Sequence, residues 1–235
     1  MQLHVALTPR DAAPGHVQIV VDCIRATSTI AQALAAGYER VVCVGGIEEA
    51  LRERAPGVIL GGERGGVRID GFDLGNSPAE YVEPRGTALV LTTTNGTRAV
   101  LQAADEAEIV LVGALTCLEA VAAAAARLAD GGAVAVRCAG VRGEVALDDA
   151  YVAGRLVERI AALAPAADLT DGARTALAIA RAYADPLQAL RDSQSARDLD
   201  GTGLEPDVAR CARESVLEVV PRLASLAPGR VVITA

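Results

Sequence analysis

The sequence predicts an α/β fold: a three-layer α/β/α arrangement around a mainly parallel sheet, with a helix-rich C-terminal third. Two observations predict it. Through the first two-thirds of the chain, short runs rich in Val and Ile alternate with helical segments, and most runs are apolar throughout, as buried parallel strands are. The last third is mostly helical in pattern. A length of 235 residues fits a single domain over residues 1–235, with two lobes divided near residues 115–145 as the alternative.

Each element is predicted from its own local pattern. Apolar runs bounded by turn residues predict strands at Leu3–Leu7, Val17–Val21, Arg40–Val44, Val58–Leu60, Ala88–Leu91, Ile109–Val112, Ala133–Arg137 and Val231–Thr234. Helical patterns, several of them preceded by Ser, Thr or Asn and followed by Gly, predict helices at Thr29–Ala36, Ile47–Ala55, Thr97–Ala103, Leu118–Ala129, Leu147–Leu163, Thr170–Ala184, Asp185–Asp198 and Glu205–Cys211. In folds of this kind, ligands bind beyond the carboxyl ends of the strands.

Composition argues against several classes of function. The formal net charge of −8 argues against a nucleic-acid backbone as the main partner. All 22 basic residues are arginine, so lysine Schiff bases and P-loop lysines are excluded. No run is long enough to span a membrane and no signal-peptide pattern opens the chain, so we expect a cytoplasmic protein without a membrane partner. The five cysteines, which include no CxxC motif, are expected to be buried and reduced.

Two polar blocks predict anion-binding helix starts at strand ends. In the first, an apolar strand ends at Asp22, and after a short turn a helix opens with Thr27, Ser28 and Thr29. A carboxylate, the guanidinium of Arg25 and hydroxyls therefore lie beside free N–H groups. The second block, TTTNGT, follows the strand ALVL. The neutral groups expected to contact substrate are Thr27, Ser28, Thr93, Thr94, Asn95, Gly96 and Thr97. Two such elements predict two anionic groups on one ligand.

Two further blocks predict metal ligands. The glycine-rich loop Gly61–Pro78 carries Glu63 and Asp73 as candidate metal ligands, and its length is typical of functional loops. In the same loop the candidate substrate contacts are Arg64, Asn76 and Ser77. The pair Asp148-Asp149 opens a helix after CAGVRGE. Acids are favoured there by the helix dipole alone, but one of them is also a candidate ligand for a hard cation such as Mg²⁺.

Other catalytic schemes fit the sequence poorly. The string DLDGTG (Asp198–Gly203) spells the nucleophile motif of haloacid-dehalogenase-type phosphatases, but the stretch before it, DSQSAR, is polar and helical where that motif needs a buried strand. The two histidines, His4 and His16, are interpreted as a strand residue and a turn residue. No GxSxG motif supports a serine nucleophile.

Read in order, the blocks resemble the 2-phosphosulfolactate phosphatase family over most of the chain, from Asp22 to about Pro221. The strings that carry the resemblance are DCIRATSTI, GER followed by GFDLGNSP, TTTNGT, CAG, DDAYVAG, and SARDL with a later Asp207 and Cys211. The first block has Cys23 where an aliphatic residue is expected, and the acidic pair has Asp148 where Glu is expected.

The resemblance implies a Mg²⁺-dependent phosphatase that converts 2-phospho-3-sulfolactate to 3-sulfolactate and phosphate, a step toward coenzyme M in methanogens. On this hypothesis the catalytic residues are Asp22, Glu63 and Asp149, and the metal ligands come from Asp22, Glu63, Asp73 and Asp149. Arg25 and Arg64 would clamp phosphate or sulfonate. The nucleophile is left open between an activated water molecule and Asp22 itself.

Two alternatives remain at this stage. One is an α/β enzyme acting on a different small phosphoester, and the other is a non-catalytic protein that binds organic anions. Carboxylates beside anion clamps favour an enzyme, because a pure anion binder gains nothing from them without a metal. The aliphatic, Ala-rich helices suggest a homodimer.

Overall fold

The computed structural model describes all 235 residues and contains one sheet of eleven strands. Most strands are short and buried, and the second is buried at all five positions, four of which are Val or Ile. Its one polar residue, Gln18, is bonded to the Ala13 carbonyl and to Arg137. The strands are β1 (Gln2–Ala6), β2 (Val17–Val21), β3 (Arg40–Val44), β4 (Val58–Arg64), β5 (Val67–Arg68), β6 (Ala88–Thr92), β7 (Ile109–Gly113), β8 (Ala133–Cys138), β9 (Asp168–Leu169), β10 (Arg222–Ala227) and β11 (Arg230–Thr234).

The sheet is mostly parallel and is divided by one hairpin. The strand order is β5-β4-β6-β3-β11-β10-β7-β2-β8-β1-β9. The strands β4, β6 and β3 are parallel to one another, as are β7, β2, β8, β1 and β9. The antiparallel hairpin of β10 and β11 lies between these two blocks, and β10 pairs with β7 only at Arg222 and Leu111. The two parallel blocks are therefore joined by the end of the chain.

Nine helices cover the sheet. They are α1 (Ala26–Ala36), α2 (Ile47–Arg52), α3 (Gly96–Glu106), α4 (Leu118–Leu128), α5 (Leu147–Leu163), α6 (Asp171–Ala182), α7 (Pro186–Arg191), α8 (Gln194–Arg197) and α9 (Pro206–Cys211). Helices α1 and α3 contact strands of both parallel blocks, whereas α4 and α5 pack against β2, β7 and β8. No helix combines the length and the apolar character needed to cross a membrane.

The predicted α/β class and the mainly parallel sheet are confirmed. Strands β2 and β3 and helix α5 have the predicted bounds. Most other bounds differ by one to three residues, and the two-residue strands β5 and β9 were missed. Three larger differences follow. The strand β10 was missed, because its residues are mostly exposed and its sequence is not a buried run. The helix predicted over Asp185–Asp198 is divided into α7 and α8, because Ser193 caps the start of α8 by accepting a hydrogen bond from Ala196 N. The strand β4 continues four residues beyond its predicted end.

Candidate active site

A cavity of about 380 Å³ lies where the residues that follow or end β2, β4, β6 and β8 meet α8. This position agrees with the rule that ligands bind at the carboxyl ends of strands in α/β folds. Five charged side chains line the cavity: Asp22, Glu63, Asp198, Arg25 and Arg142. Neutral polar side chains line it too: Asn76, Thr94, Asn95 and Ser195. The lining is therefore suited to a small, charged ligand.

Asp22 lies at the end of β2, where the first turns of α1 and α3 meet. A Cβ atom added at Gly96 would lie only 2.6 Å from Oδ2 of Asp22, so the start of α3 can approach the carboxylate only because residue 96 is glycine. Burial raises the pKa of Asp22 to about 7, and the charges of Asp148 and Glu63 act in the same direction. The backbone N–H groups of Ala26 and Gly96 act against that rise.

Asp148 and Asp149 lie behind Asp22 and hold the strand ends together. Asp149 accepts hydrogen bonds from Cys23 N (2.8 Å) and Gly140 N (2.9 Å). Burial, followed by the charges of Asp148 and Asp22, raises its pKa well above the ordinary value. Asp149 was predicted to be catalytic and a metal ligand, but the structure places it outside the cavity lining, with both carboxylate oxygens bonded to backbone.

The other member of the pair has a hydroxyl partner from the C-terminal third. Asp148 accepts hydrogen bonds from Ile24 N at 3.2 Å and from the Ser195 hydroxyl at 2.8 Å. Burial raises its pKa to about 6, and the Ser195 hydroxyl acts against that rise. The hydrogen bond to Ser195 thus ties the start of α8 to the residues that follow β2.

Glu63 lines the cavity and joins its loop to the TTTNGT turn. One carboxylate oxygen accepts from Thr94 N at 2.7 Å, and the other from Gly66 N at 2.8 Å and the Thr94 hydroxyl at 3.2 Å. These bonds fix the orientation of the carboxylate. The first oxygen, Oε1, accepts only one hydrogen bond and can still face a ligand, whereas the second already accepts two.

Arg25 is held in place from two sides. Its Nη1 donates to Asp207 at 3.0 Å and its Nη2 to the carbonyl of Gly66 at 2.9 Å. Asp207 also accepts from the Ser77 hydroxyl at 2.6 Å. Arg25 and Asp207 form a buried ion pair between residues 182 positions apart, which brings α9 to the cavity.

Most of the hydroxyls predicted to contact substrate bond instead to the protein. Thr27 donates to the Asp22 carbonyl at 2.9 Å and Ser28 to the Cys23 carbonyl at 2.8 Å. Thr93 and Thr97 bond to each other at 3.0 Å. None of these four residues lines the cavity, and neither do Ser77 and Gly96, whereas Asn76, Thr94 and Asn95 do. The first turns of the two helices thus use their hydroxyls to satisfy nearby backbone groups.

Two charged residues of the glycine-rich loop also lie away from the cavity. Arg64 donates to its neighbour's carbonyl at 2.7 Å and to the Thr92 hydroxyl at 2.9 Å. Asp73 accepts from Leu60 N at 2.8 Å and lies 3.6 Å from Nη1 of Arg54. The structure therefore does not bring the predicted clamp Arg64 or the predicted metal ligand Asp73 to the other site residues, because local backbone contacts hold both.

Sequence reasoning missed three polar side chains that line the cavity: Arg142, Ser195 and Asp198. All three belong to polar blocks singled out in the sequence, so a signal existed. The sequence presents Asp198 only within a nucleophile motif that needs a preceding strand. The structure confirms that a helix, α8, precedes Asp198 instead. It also places Asp198 in the cavity lining, paired with Arg142. Only the fold shows that the turn after β8 and the end of α8 are neighbours.

Histidine and cysteine do not contribute to the cavity lining. His4 bonds to Gln2, and His16 lies 3.5 Å from a carboxylate oxygen of Glu108. All five cysteines are buried and unpaired, as expected. Burial raises the pKa of every thiol, which keeps the nucleophilic thiolate scarce at neutral pH.

The donor set fits Mg²⁺ that is partly held by a phosphate. No group of three or more His, Cys, Asp or Glu side chains forms a metal cage. Mg²⁺ commonly binds one or two carboxylates and completes its coordination with water and substrate phosphate. Asp22 and Glu63 supply two carboxylates at the cavity, and the side-chain oxygen of Asn76, buried there, has no hydrogen-bond partner. These three oxygens are the groups that could face the cation.

Comparison with known proteins identifies the family of this chain. Residues 3–225 match the family described as 2-phosphosulpholactate phosphatase. A protein of Thermus thermophilus named "Probable 2-phosphosulfolactate phosphatase" is 43% identical over 226 residues, which cover 95% of this chain and 94% of that protein. A protein of Deinococcus radiodurans with the same name is 42% identical, and the match covers 95% of this chain and 93% of its own length. The chain belongs to the 2-phosphosulfolactate phosphatases, a family of phosphoric monoester hydrolases.

Proposed function

We propose that this protein hydrolyses 2-phospho-3-sulfolactate to 3-sulfolactate and phosphate, and that the reaction requires Mg²⁺. Family membership supports the choice of substrate. The observation that carries the proposal is the position of Asp22, which lines the cavity with Arg25 and meets the N-terminal ends of two helices. Such helix ends favour anions, and the guanidinium of Arg25 has five N–H donors, of which its two protein contacts use two.

The protein groups of the cavity have separable tasks. Arg25 holds the phosphate, because Asp207 and the Gly66 carbonyl fix its guanidinium before substrate arrives. Thr94 and Asn95 supply neutral polar groups from the turn before α3. Glu63 and Asp22 present carboxylates, and with the amide oxygen of Asn76 they would hold the cation. When bound, Mg²⁺ would offset the charge of the phosphate oxygens and favour in-line displacement.

Asp22 is also the group best placed for the reacting water or the phosphorus. In one scheme its carboxylate orients a water molecule and accepts its proton. In the other scheme Asp22 itself attacks and a phospho-aspartate forms. Rapid acid quench with ³²P-labelled substrate distinguishes the two. Label on the wild-type protein that is absent from Asp22→Asn would establish the second scheme, and unlabelled protein during turnover would favour the first.

The first test is phosphate release from 2-phospho-3-sulfolactate with Mg²⁺ and then with EDTA, beside a panel of simple phosphomonoesters. We expect release that needs Mg²⁺ and prefers phosphosulfolactate. Release that is unaffected by EDTA would refute the role of the metal. Turnover of another ester and none of phosphosulfolactate would favour a phosphatase with a different substrate. No phosphate release from any ester would favour a non-catalytic anion-binding protein.

The proposal also covers the number of domains, the oligomeric state and the cellular location. We propose a single domain over residues 1–235 that forms a homodimer in the cytoplasm, with no nucleic-acid partner, in keeping with the net charge of −8. The place of the reaction in coenzyme M biosynthesis stays a prediction. Sedimentation of the purified protein would test the dimer, since a mass of 24.0 kDa would show a monomer.

A further inference from the structure

We propose that Arg142 is a specificity-determining residue, which binds the anionic group that the substrate carries in addition to its phosphate. This inference rests on the proposed function, because it concerns the same cavity and the same substrate class. Arg25 and Arg142 are the only cationic side chains in the lining. The sequence pointed to Arg64 as the second clamp, but Arg64 lies elsewhere, so the second cation is Arg142.

A tight turn presents Arg142 at the cavity. Val141 N donates to the Glu144 carbonyl at 3.1 Å, and Glu144 N donates back to the Val141 carbonyl at 3.0 Å. The two central residues, Arg142 and Gly143, have φ values of 54° and 80°, as in a type I′ turn. Asn or Asp is usual at the first central position, and arginine is uncommon at positive φ. The turn holds the base of a long side chain in a defined place beside the ligand space.

The guanidinium of Arg142 is anchored but not saturated. Its Nη2 lies 3.0 Å from each carboxylate oxygen of Asp198. Nε and Nη1 make no hydrogen bond within the protein, and the side chain is 70% exposed. Arg25, in contrast, has both terminal nitrogens bonded to the protein. Arg142 therefore keeps free donors, in a planar arrangement that matches a carboxylate or a sulfonate.

The charge of the lining explains why a polyanionic substrate needs this residue. Asp22, Glu63 and Asp198 outnumber the two arginines, and Arg25 is already paired with Asp207. A phosphoester that carries a carboxylate and a sulfonate meets repulsion from these acids. Arg142 offsets that repulsion for the groups away from the phosphate, whereas an ester without them has no group for Arg142 to bind.

The test uses three esters that differ by one group at a time. They are 2-phospho-3-sulfolactate, 2-phospholactate, which lacks the sulfonate, and isopropyl phosphate, which lacks the carboxylate too. Arg142→Gln is compared with Arg127→Gln, which removes the same charge from an exposed site on α4 outside the cavity lining. We expect Arg142→Gln to lower kcat/KM for the first ester about 10- to 100-fold, mainly through KM, and to leave isopropyl phosphate within about twofold.

The pattern across the esters identifies the group that Arg142 binds. A loss for phosphosulfolactate alone assigns the sulfonate, and a loss for 2-phospholactate as well assigns the carboxylate. The inference is overturned if all three esters lose activity equally, if none does, or if Arg127→Gln has the same effect as Arg142→Gln.

A binding measurement separates this inference from the proposed function. Calorimetric titration with 3-sulfolactate and with inorganic phosphate requires no turnover. We expect Arg142→Gln to weaken 3-sulfolactate binding about 10-fold or more and to preserve phosphate binding. If wild type released no phosphate from phosphosulfolactate, the proposed function would fail, and selective loss of 3-sulfolactate binding would still support Arg142. Equal binding of 3-sulfolactate by the two proteins would contradict the inference.

Discussion

The floor of the cavity and its mouth each contain an arginine–aspartate pair, and the two pairs differ in environment rather than in length. At the floor, Arg25 and Asp207 lie 3.0 Å apart with side chains 3% and 4% exposed. At the mouth, Arg142 and Asp198 are also 3.0 Å apart, with side chains 70% and 35% exposed. The same contact is therefore made once in the protein interior and once in water.

The difference shows that contact geometry alone does not give the role of a pair. Breaking a buried pair leaves an uncompensated charge in a medium that solvates it poorly, so the floor pair is held as a unit. An exposed pair contributes little, because water and salt screen it, and its arginine can exchange partners at low cost. The floor is thus suited to fixed positioning and the mouth to ligand capture.

The largest expected effect comes from breaking the floor pair. Asp207→Asn keeps the size of the side chain and removes the charge that balances Arg25. We expect the free energy of unfolding to fall by about 3 kcal/mol or more, measured by urea denaturation. A change below about 1 kcal/mol would mean that the pair behaves like the exposed one.

A double variant separates stability from function at the floor. Arg25→Met with Asp207→Leu replaces both charges with apolar groups of similar volume. We expect most of the lost stability to return, because no unpaired charge remains. Phosphatase activity should be lost in the double variant, because Arg25 is missing. Activity at the wild-type level would show that Arg25 has no part in holding the phosphate.

The next effect concerns the close approach at Asp22. A Cβ atom at position 96 would lie 2.5 Å from the Cβ of Ala26 and 2.6 Å from Oδ2 of Asp22. We expect Gly96→Ala to cost about 1–3 kcal/mol and to lower kcat, since α3 must move from the carboxylate. Gly45→Ala is the control, because its added Cβ meets only Leu101 at 3.8 Å. Equal results for the two variants would refute the tight contact at the floor.

Two buried carboxylates, Asp22 in the cavity lining and Asp148 behind it, predict an unusual dependence of stability on pH. The folded pKa values of Asp22 (about 7) and Asp148 (about 6) exceed the ordinary value of 3.8. Between about pH 4 and 7 the folded state therefore binds more protons than the unfolded state, so stability rises as pH falls through this window. In EDTA we expect a gain on the order of 3 kcal/mol from pH 7 to pH 5, the larger part of it from Asp22.

Urea denaturation at the two pH values checks this prediction. Asp148→Asn is the matched variant, since it removes one of the titrating groups while keeping an acceptor for Ser195. We expect a smaller pH dependence in that variant. A wild-type protein that loses stability between pH 7 and pH 5 would contradict the burial of these carboxylates.

The smallest stability effect is expected at the mouth. Arg142→Gln removes an exposed pair that solvent screens, so the free energy of unfolding should change by no more than about 0.5 kcal/mol. The same variant is expected to lose activity toward polyanionic esters, so the two measurements should diverge. A stability loss comparable to that of Asp207→Asn would show that the mouth pair is structural and would remove the contrast with the floor.

Much of the fold could be predicted because its signals are local. The run Val41–Val44 is apolar throughout and so predicts a strand buried on both faces, and the periodic segment Leu147–Leu163 predicts a helix of that length. The strand β10 gave no such signal, since its residues are mostly exposed and are held by pairing with β11. Pairing between distant segments leaves no periodicity in the sequence.

The site was predictable to the extent that residues follow strands directly. Asp22, Arg25 and Glu63 were predicted and do line the cavity. Polar residues near them in the sequence were also predicted to contact substrate, but several of these side chains lie outside the cavity lining. Ser28, for example, donates to the Cys23 carbonyl. A residue's position after a strand indicates which segment reaches the cavity. It does not show whether the side chain faces the cavity or bonds to nearby backbone groups.

By itself the sequence determined the α/β class, the absence of lysine chemistry, the polar blocks and, through the order of those blocks, the family. Only the tertiary structure decided that Arg142 rather than Arg64 is the second cation of the cavity, and that Asp149 and Asp73 bond to backbone outside it. The physical reason is that strand and helix patterns depend on burial along one segment. A binding site depends on distances between segments, which are set when both parallel blocks pack around α1 and α3.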